Sequence, residues 1–352
     1  MIEALRALAA LSVVVFHLQG LVGVTMPGPL NYIGASGWMG VDLFFAISGL
    51  VIGQSVIRNL TRGSLQRYAV ARVARIVPLH FLTCVLFVFL VDSAVFWNAP
   101  VLQTVSHALF FHNFLPSTIH AINGVNWSLA VEMQFYCLAF LIIRYLQSRS
   151  LRSWVFTLIF VYLCVLAWRS SSYFFTAADV QGHALRQHLG AQTPALFDGF
   201  ATGLVMALVF NRQAPKENFN KALVLYATAL LLFAASHYCY MSVRADYYGQ
   251  FWSAVFLRSL VAASCCTLVL AAVYTPNSKA KWLAPTFWLG RISYGIYLWH
   301  GLLLGVVVST TWSIQIKALA IGAGAITLAW LSYQTIELPA QAWIRRRFNR
   351  TR

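Results

Sequence analysis

Apolar residues in this chain run without alternation for stretches of about 20, the length a helix needs to cross a hydrocarbon core of about 30 Å. Ten such stretches are predicted, at 5–24, 38–57, 79–97, 124–145, 152–168, 193–210, 220–239, 253–274, 285–309 and 314–334. Pro and Gly/Asn-rich breaks separate several of them. A membrane barrel would instead alternate polar and apolar positions over about ten residues. The pattern predicts an all-α, polytopic membrane protein with one domain, 1–340, and a basic tail, 341–352. No internal repeat is visible, and no appended soluble domain is expected. The segment 98–123, where Pro100 and Pro116 flank an apolar stretch, is too short to span and is expected at the interface or dipping into the membrane.

Composition removes the other classes. Of the 352 residues, 60% are hydrophobic and 10% charged, and the mean hydropathy is +0.70. A soluble domain carries about 45–50% apolar and about 25% charged residues. Disorder requires far lower hydrophobicity. The net charge is +16, from 25 Lys and Arg against 9 Asp and Glu. In a soluble protein that excess would suggest nucleic acid. Here the basic residues sit between apolar stretches, so no nucleic-acid partner is expected. With the N-terminus placed in the cytoplasm, 20 of the 25 fall on the cytoplasmic side. They include Arg58, Arg62, Arg67, Arg72 and Arg75, then Lys279, Lys281 and Arg291, and the arginines of the tail up to Arg350 and Arg352. That bias predicts ten crossings with both ends inside. The six cysteines form no CxxC pair and lie in or beside apolar stretches, which suits packing better than zinc or disulfides. No metal is expected. The first stretch follows Arg6 without a small-residue cleavage pattern, so it is expected in the mature protein.

Ionisable side chains inside spans are costly and usually functional. Here they are His17, Asp42, Asp92, Glu132, Asp198, Arg258 and His300, with Ser48 as an added hydroxyl. From the helical rise, His17 lies about 18 Å from the cytoplasmic edge and Glu132 about 12 Å below the outer edge, which coincide. Ser48 falls near mid-depth, Asp92 near His17, and Asp42, Asp198 and His300 in the outer half. The spans are therefore predicted to share one polar chamber. Arg6 and His17 lie eleven residues apart on nearly one helix face. An Arg at a span's start also serves as an anchor, and a buried His as a bundle hydrogen-bond partner. Arg72 and Arg75 share a face just before the third span, where two guanidiniums suit a phosphate; a positive-inside loop is the plainer alternative. In the outer loop, His183, Arg186 and His188 are expected as solvated residues, with contact to an acidic or phosphorylated acceptor as the alternative. Trp97, Tyr173, Tyr247 and Tyr248 are expected in interfacial belts, with stacking on sugars as the alternative.

Several segments taken in order carry more than any one. Leu5-Arg6-Ala7-Leu8-Ala9 precedes His17. Then come Asp42-Leu43-Phe44-Phe45-Ala46-Ile47-Ser48-Gly49, Arg72-Val73-Ala74-Arg75-Ile76-Val77-Pro78, Asn126-Trp127-Ser128-Leu129-Ala130-Val131-Glu132 with Phe135-Tyr136, and Ser293-Tyr294-Gly295-Ile296-Tyr297-Leu298-Trp299-His300. The sequence resembles the acyltransferase-3 family of integral membrane acyltransferases. The resemblance implies a ten-helix domain in a bacterial cytoplasmic membrane. It would take an acyl group, usually acetyl, from acyl-CoA as a transient donor and deliver it to a hydroxyl of a surface polysaccharide or glycolipid. It implies Arg6 and His17 as a functional pair, a basic pair at Arg72 and Arg75, and Glu132 as the WSLxxE carboxylate. Some members carry a further C-terminal domain of SGNH type, not seen in this chain. On this basis His17 is expected to act as general base oriented by Glu132, and Arg6, Arg72 and Arg75 to hold the CoA phosphates. Ser48, Asn126, Trp127 and His300 are candidates to stabilise the oxyanion, and Asp42 lies in the same set. A proton-coupled transporter of a small polar solute is the main alternative, since buried Asp, Glu and His also build proton relays. A non-catalytic membrane scaffold is the third.

Overall fold

In the computed structural model, residues 1–61, 65–276 and 283–349 are described. Arg62, Lys279, Lys281, Arg350 and Arg352, counted above as cytoplasmic, lie outside the described residues. The helices in chain order are α1 (Ile2–His17), α2 (Pro29–Ala35), α3 (Gly40–Thr61), α4 (Leu65–Leu90), α5 (Ser93–Trp97), α6 (Pro100–Ala108), α7 (Trp127–Leu146) and α8 (Leu151–Phe174). They continue with α9 (Val180–Gly190), α10 (Phe197–Arg212), α11 (Phe219–Val243), α12 (Arg258–Tyr274), α13 (Ala284–Arg291), α14 (Ser293–Val307), α15 (Ile314–Ser332) and α16 (Leu338–Asn349). Among the described residues there is no strand, and 8 helices are long and apolar enough to cross a membrane. The protein is an all-α polytopic membrane protein.

Two of the ten expected stretches form shorter helices. The sixth becomes α10, with 16 residues, and the ninth breaks at Ile292 into α13 and a 15-residue α14. Most of α14 is buried by its neighbours, so protein rather than lipid surrounds it. The third stretch begins earlier than its apolar pattern suggests. Helix α4 starts at Leu65 and takes Arg67, Arg72 and Arg75 into its first turns. Consequently Asp92 lies beyond the far end of α4 rather than at the depth of His17, and its carboxylate caps α5 by accepting from the Val95 amide at 3.2 Å. Helix α16, Leu338–Asn349, runs through the start of the basic tail.

Helix α3 is the central post, packed against α1, α7, α10 and α12. Its contact with α10 is built on small residues. A Cβ on Gly49 would collide with the Phe200 carbonyl oxygen, and one on Gly203 with that of Ala46. Without a hydrophobic drive between helices in lipid, such close backbone approach supplies the packing. Gly53 against Ala207 continues the seam, so α3 and α10 run in the same direction.

Candidate active site

Two contacts tie α1 to α14. Arg6 Nε donates to Ser293 Oγ at 3.4 Å, and His17 Nδ1 stands 3.1 Å from His300 Nε2. Both partners advance along the chain together, so α1 and α14 are parallel, and their facing sides carry all four residues. The tautomers follow from the hydrogen bonds. His300 Nδ1 lies 3.2 Å from the Ile296 carbonyl, which only accepts, so that nitrogen carries the proton. Its Nε2 is then an acceptor, and His17 Nδ1–H donates to it. The lone pair of a neutral His17 is thereby left on Nε2. His300 is fully buried, whereas His17 is half-buried and keeps a free edge.

One helical run from this pair lies a basic pocket. Arg6, Arg72 and Arg75 line it with Ser48, Glu132, Tyr136 and Tyr294. Glu132 Oε1 accepts from Ser48 Oγ and from Tyr136 Oη, each at 2.6 Å. Arg72 sits between the rings of Tyr68 and Tyr136, 5.9 and 6.0 Å from their centroids. Its Nε is buried without a hydrogen-bond partner. Glu337, on a π-helical turn between α15 and α16, is buried next to Arg6 and Arg75 in the local electrostatics. Three guanidiniums line the pocket with one carboxylate, Glu132, while Glu3 stands 4.0 Å from Arg6, and Arg72 Nε is left without a partner. That arrangement suits an anion such as phosphate.

A second cavity, with about 510 Å³ of atom-free space, shares Arg6, Ile47, Ser48, Glu132 and Tyr294 with the first and extends to Phe44, Ser128 and Tyr297. The Tyr297 ring meets the His300 ring at 5.4 Å between centroids, edge to face. Tyr297 Oη is held by Ser128 Oγ at 2.7 Å and the Val125 carbonyl at 3.0 Å. The arginine pocket and the aromatic cavity thus adjoin, and Tyr297 joins the cavity wall to the imidazole pair.

A buried imidazole one aromatic ring away from a cavity that adjoins clustered arginines suits group-transfer chemistry. A family model described as an acyltransferase domain matches residues 2–334. The chain belongs to the acyltransferase-3 family. It is 28% identical to the peptidoglycan O-acetyltransferase OatA of Listeria monocytogenes, covering 96% of this chain and 55% of the relative. It is 26% identical to the O-acetyltransferase OatA of Staphylococcus aureus, covering 85% of this chain and 49% of the relative. The chain thus spans about half the length of these curated relatives. No solved structure matches it.

Of the site residues expected from the acyltransferase-3 motifs, the structure gathers Arg6, Ser48, Arg72, Arg75 and Glu132 in one pocket and His17 with His300 in another place. Glu132 does not meet His17. Its bonds go to Ser48 and Tyr136, and the imidazole is held by His300 instead. Asp42 is spent on Arg258, Oδ1 to Nε at 2.9 Å. Asn126 lines neither cavity and donates to Cys84 Sγ at 3.4 Å and the Ile122 carbonyl at 3.3 Å. Trp127 lies beside Arg258, 5.9 Å from guanidinium to ring. Arg186 and His188, expected as solvated, are buried, because α9 folds down onto the bundle. Tyr136, Tyr294, Tyr297 and Glu337 were not foreseen as site residues. Three of them had a signal: Tyr136 is four residues from Glu132, and Tyr294, Tyr297 and His300 are spaced by three on one helix face.

Proposed function

We propose that this chain moves an acyl group, acetyl by the names of its relatives, from acyl-CoA to a hydroxyl of a cell-envelope glycan, within a bacterial cytoplasmic membrane. The supporting observation is that the arginine pocket adjoins a cavity whose wall residue Tyr297 packs on His300 of the His17–His300 pair. Arg72 and Arg75 would bind the CoA phosphates, Arg72 with its free Nε. Arg6 lines both cavities and stands at their junction, where the pantetheine arm would pass.

The chemistry needs a base, because a sugar hydroxyl is a poor nucleophile at neutral pH. His17 Nε2 takes the hydroxyl proton as the oxygen attacks the thioester carbonyl carbon. The C–S bond then breaks, an ester C–O bond forms, and the imidazolium returns the proton to the departing CoA sulfur. His300 holds the His17 ring in the tautomer that this requires, in the place where triad enzymes use a carboxylate. Peptidoglycan is the acceptor in the name of the Listeria relative, and a glycan hydroxyl is the class we carry over.

The test is thiol release from acetyl-CoA by the purified protein in nanodiscs, with mass spectrometry of the envelope glycan from cells with and without the gene. An acetyl increment lost with the gene supports the reading. Unchanged glycan and no CoA-dependent turnover refute it.

A further inference from the structure

A third polar cavity lies at the opposite end of α3 from Arg72. Asp42 marks one end of that helix, while Ser55, 3.5 Å from Arg72, lies about 20 Å further along by the helical rise. The cavity has about 340 Å³ of atom-free space, and its polar walls are Arg169, Ser172, Arg186, Tyr247, Tyr248 and Arg258. Two of these arginines are matched. Arg169 pairs with Asp198 at 3.1 Å, and Arg258 with Asp42 at 2.9 Å. Arg186 is not. It is 4% exposed, and among the described residues no carboxylate lies within ion-pair distance of it. Its donors go to neutral groups: Nε to Thr176 Oγ1 at 2.7 Å, Nη1 to the Tyr248 carbonyl at 2.8 Å, and Nη2 to the carbonyls of Thr176 and Ala177 at 3.2 and 3.1 Å. The Tyr173 ring covers its face at 4.2 Å.

A buried charge normally has a partner, because the cost of desolvating it is otherwise unrecovered. Here three guanidiniums face two carboxylates, so one positive charge is left at the cavity. The remaining polar walls are donors too. Burial raises the Tyr247 and Tyr248 phenols above their usual range, so both stay protonated. The Tyr248 hydroxyl borders Gly190, where a Cβ would stand 3.8 Å from it, so the glycine leaves that side open. Beyond Arg258 stand Trp38 and Trp127, 5.7 and 5.9 Å from the guanidinium to each ring. Trp127 opens α7, the helix that carries Glu132 into the central cavity.

The geometry points to an anion-binding subsite for the acceptor, in which Arg186, Tyr248 and Arg258 hold a carboxylate or phosphate carried by the glycan. This rests on the transfer reading above for the word acceptor, but the anion site itself does not. It predicts that the chain prefers acidic sugars or phosphate-linked glycans over neutral ones.

The experiment is ligand-observed NMR with the full chain in phosphatidylcholine nanodiscs. The probes are glucuronate, glucose 1-phosphate and glucose. At least one anion should bind saturably and glucose should not; which anion binds separates the carboxylate from the phosphate source. Arg186→Gln should weaken anion binding about tenfold or more, the scale of a charge-assisted hydrogen bond. Tyr248→Phe keeps the carbonyl that Arg186 uses, so it preserves the fold while removing the hydroxyl, and should weaken binding about threefold. With the Arg72 pocket filled by saturating CoA, Arg149→Gln, at an exposed residue in neither pocket, should leave it unchanged. Equal binding of glucose, or binding that ignores both Arg186→Gln and Tyr248→Phe, overturns the subsite. Anion binding without any acyl transfer sinks the transfer reading and leaves the site; transfer without anion binding does the reverse.

Discussion

His17 Nδ1 is 3.1 Å from His300 Nε2, and the Ile296 carbonyl fixes the direction of that bond. The group that aims the proposed base is thus another imidazole, itself locked by its own helix. His17→Ala should lower transfer by about 10²–10⁴, the usual contribution of general-base catalysis, while acyl-CoA binding survives. His300→Ala should cut kcat by roughly tenfold or more without raising the KM for acyl-CoA, since it releases the ring but removes no substrate contact. Steady-state kinetics on both variants checks this. Normal turnover by His17→Ala would remove the base assignment.

Glu132 serves a different group from the one its depth suggested. Both its bonds run through Oε1 to Ser48 and Tyr136. Glu132→Gln keeps an oxygen in that place and removes only the charge. Its pH–rate profile should therefore keep the acidic limb of the wild type. A displacement of that limb by about one unit or more would show that the carboxylate acts on His17 after all.

Arg72 should behave as a phosphate ligand held by aromatic faces. Arg72→Gln should raise the KM for acyl-CoA by about ten- to a hundredfold, the worth of a charge-assisted contact, with a smaller effect on kcat. Arg72→Lys should rescue little, because an ammonium cannot stack between Tyr68 and Tyr136 as the planar fork does. Unchanged donor affinity in a titration with CoA would rule out the phosphate role.

The membrane class and most of the helices were legible because apolar length is a one-dimensional property. His17 and Glu132 were legible because an ionisable group in lipid is expensive wherever it sits, and Arg6 and Arg72 from their spacing and the acyltransferase-3 motifs. What the sequence did not carry was pairing. Depth arithmetic put Glu132 and His17 at one level, but level says nothing about which helix faces which. That is decided by the Gly49–Gly203 seam and by the parallel contact of α1 with α14. Asp92 was misplaced because α4 starts at Leu65, taking three arginines into a helix whose apolar pattern begins only later. Glu337 was missed because it lies past the last predicted apolar stretch, which ends at 334, on a π-helical turn, where its charge is felt at Arg6 and Arg75.

The α3–α10 seam makes a steric prediction. The Cβ of Gly203 would strike the Ala46 carbonyl and the backbone around Leu50, which cannot move aside as a flexible side chain can. Gly203→Val should therefore separate the two helices, costing at least the 1–3 kcal/mol or so typical of overpacking. Size-exclusion profiles and melting temperature in detergent report it. A monodisperse variant with wild-type melting would mean that the seam is looser than the backbone contacts imply.

Outside the spanning helices, His107 and His112 make stability depend on pH. Their rings stack at 4.2 Å and 3°, beside His80 and Asn126. His112 Nε2 donates to the Asn126 carbonyl at 3.0 Å, and His107 Nδ1 to that of Gln103 at 2.9 Å. The other nitrogen of each ring is buried without a partner. Burial first, then the neighbouring His107, lowers the His112 pKa from 6.5 to about 4, and burial lowers that of His107. The unfolded chain therefore binds more protons between those values. Stability is full above about pH 6.5 and falls as the pH drops toward about 4. The drop from 6.5 to about 4 corresponds to on the order of 3 kcal/mol for His112. Melting temperature measured in detergent should decline across that window. His112→Gln, which keeps a donor but cannot take up the proton, should flatten the decline even if it lowers the plateau. An equally steep decline in the variant would assign the acid sensitivity to other groups.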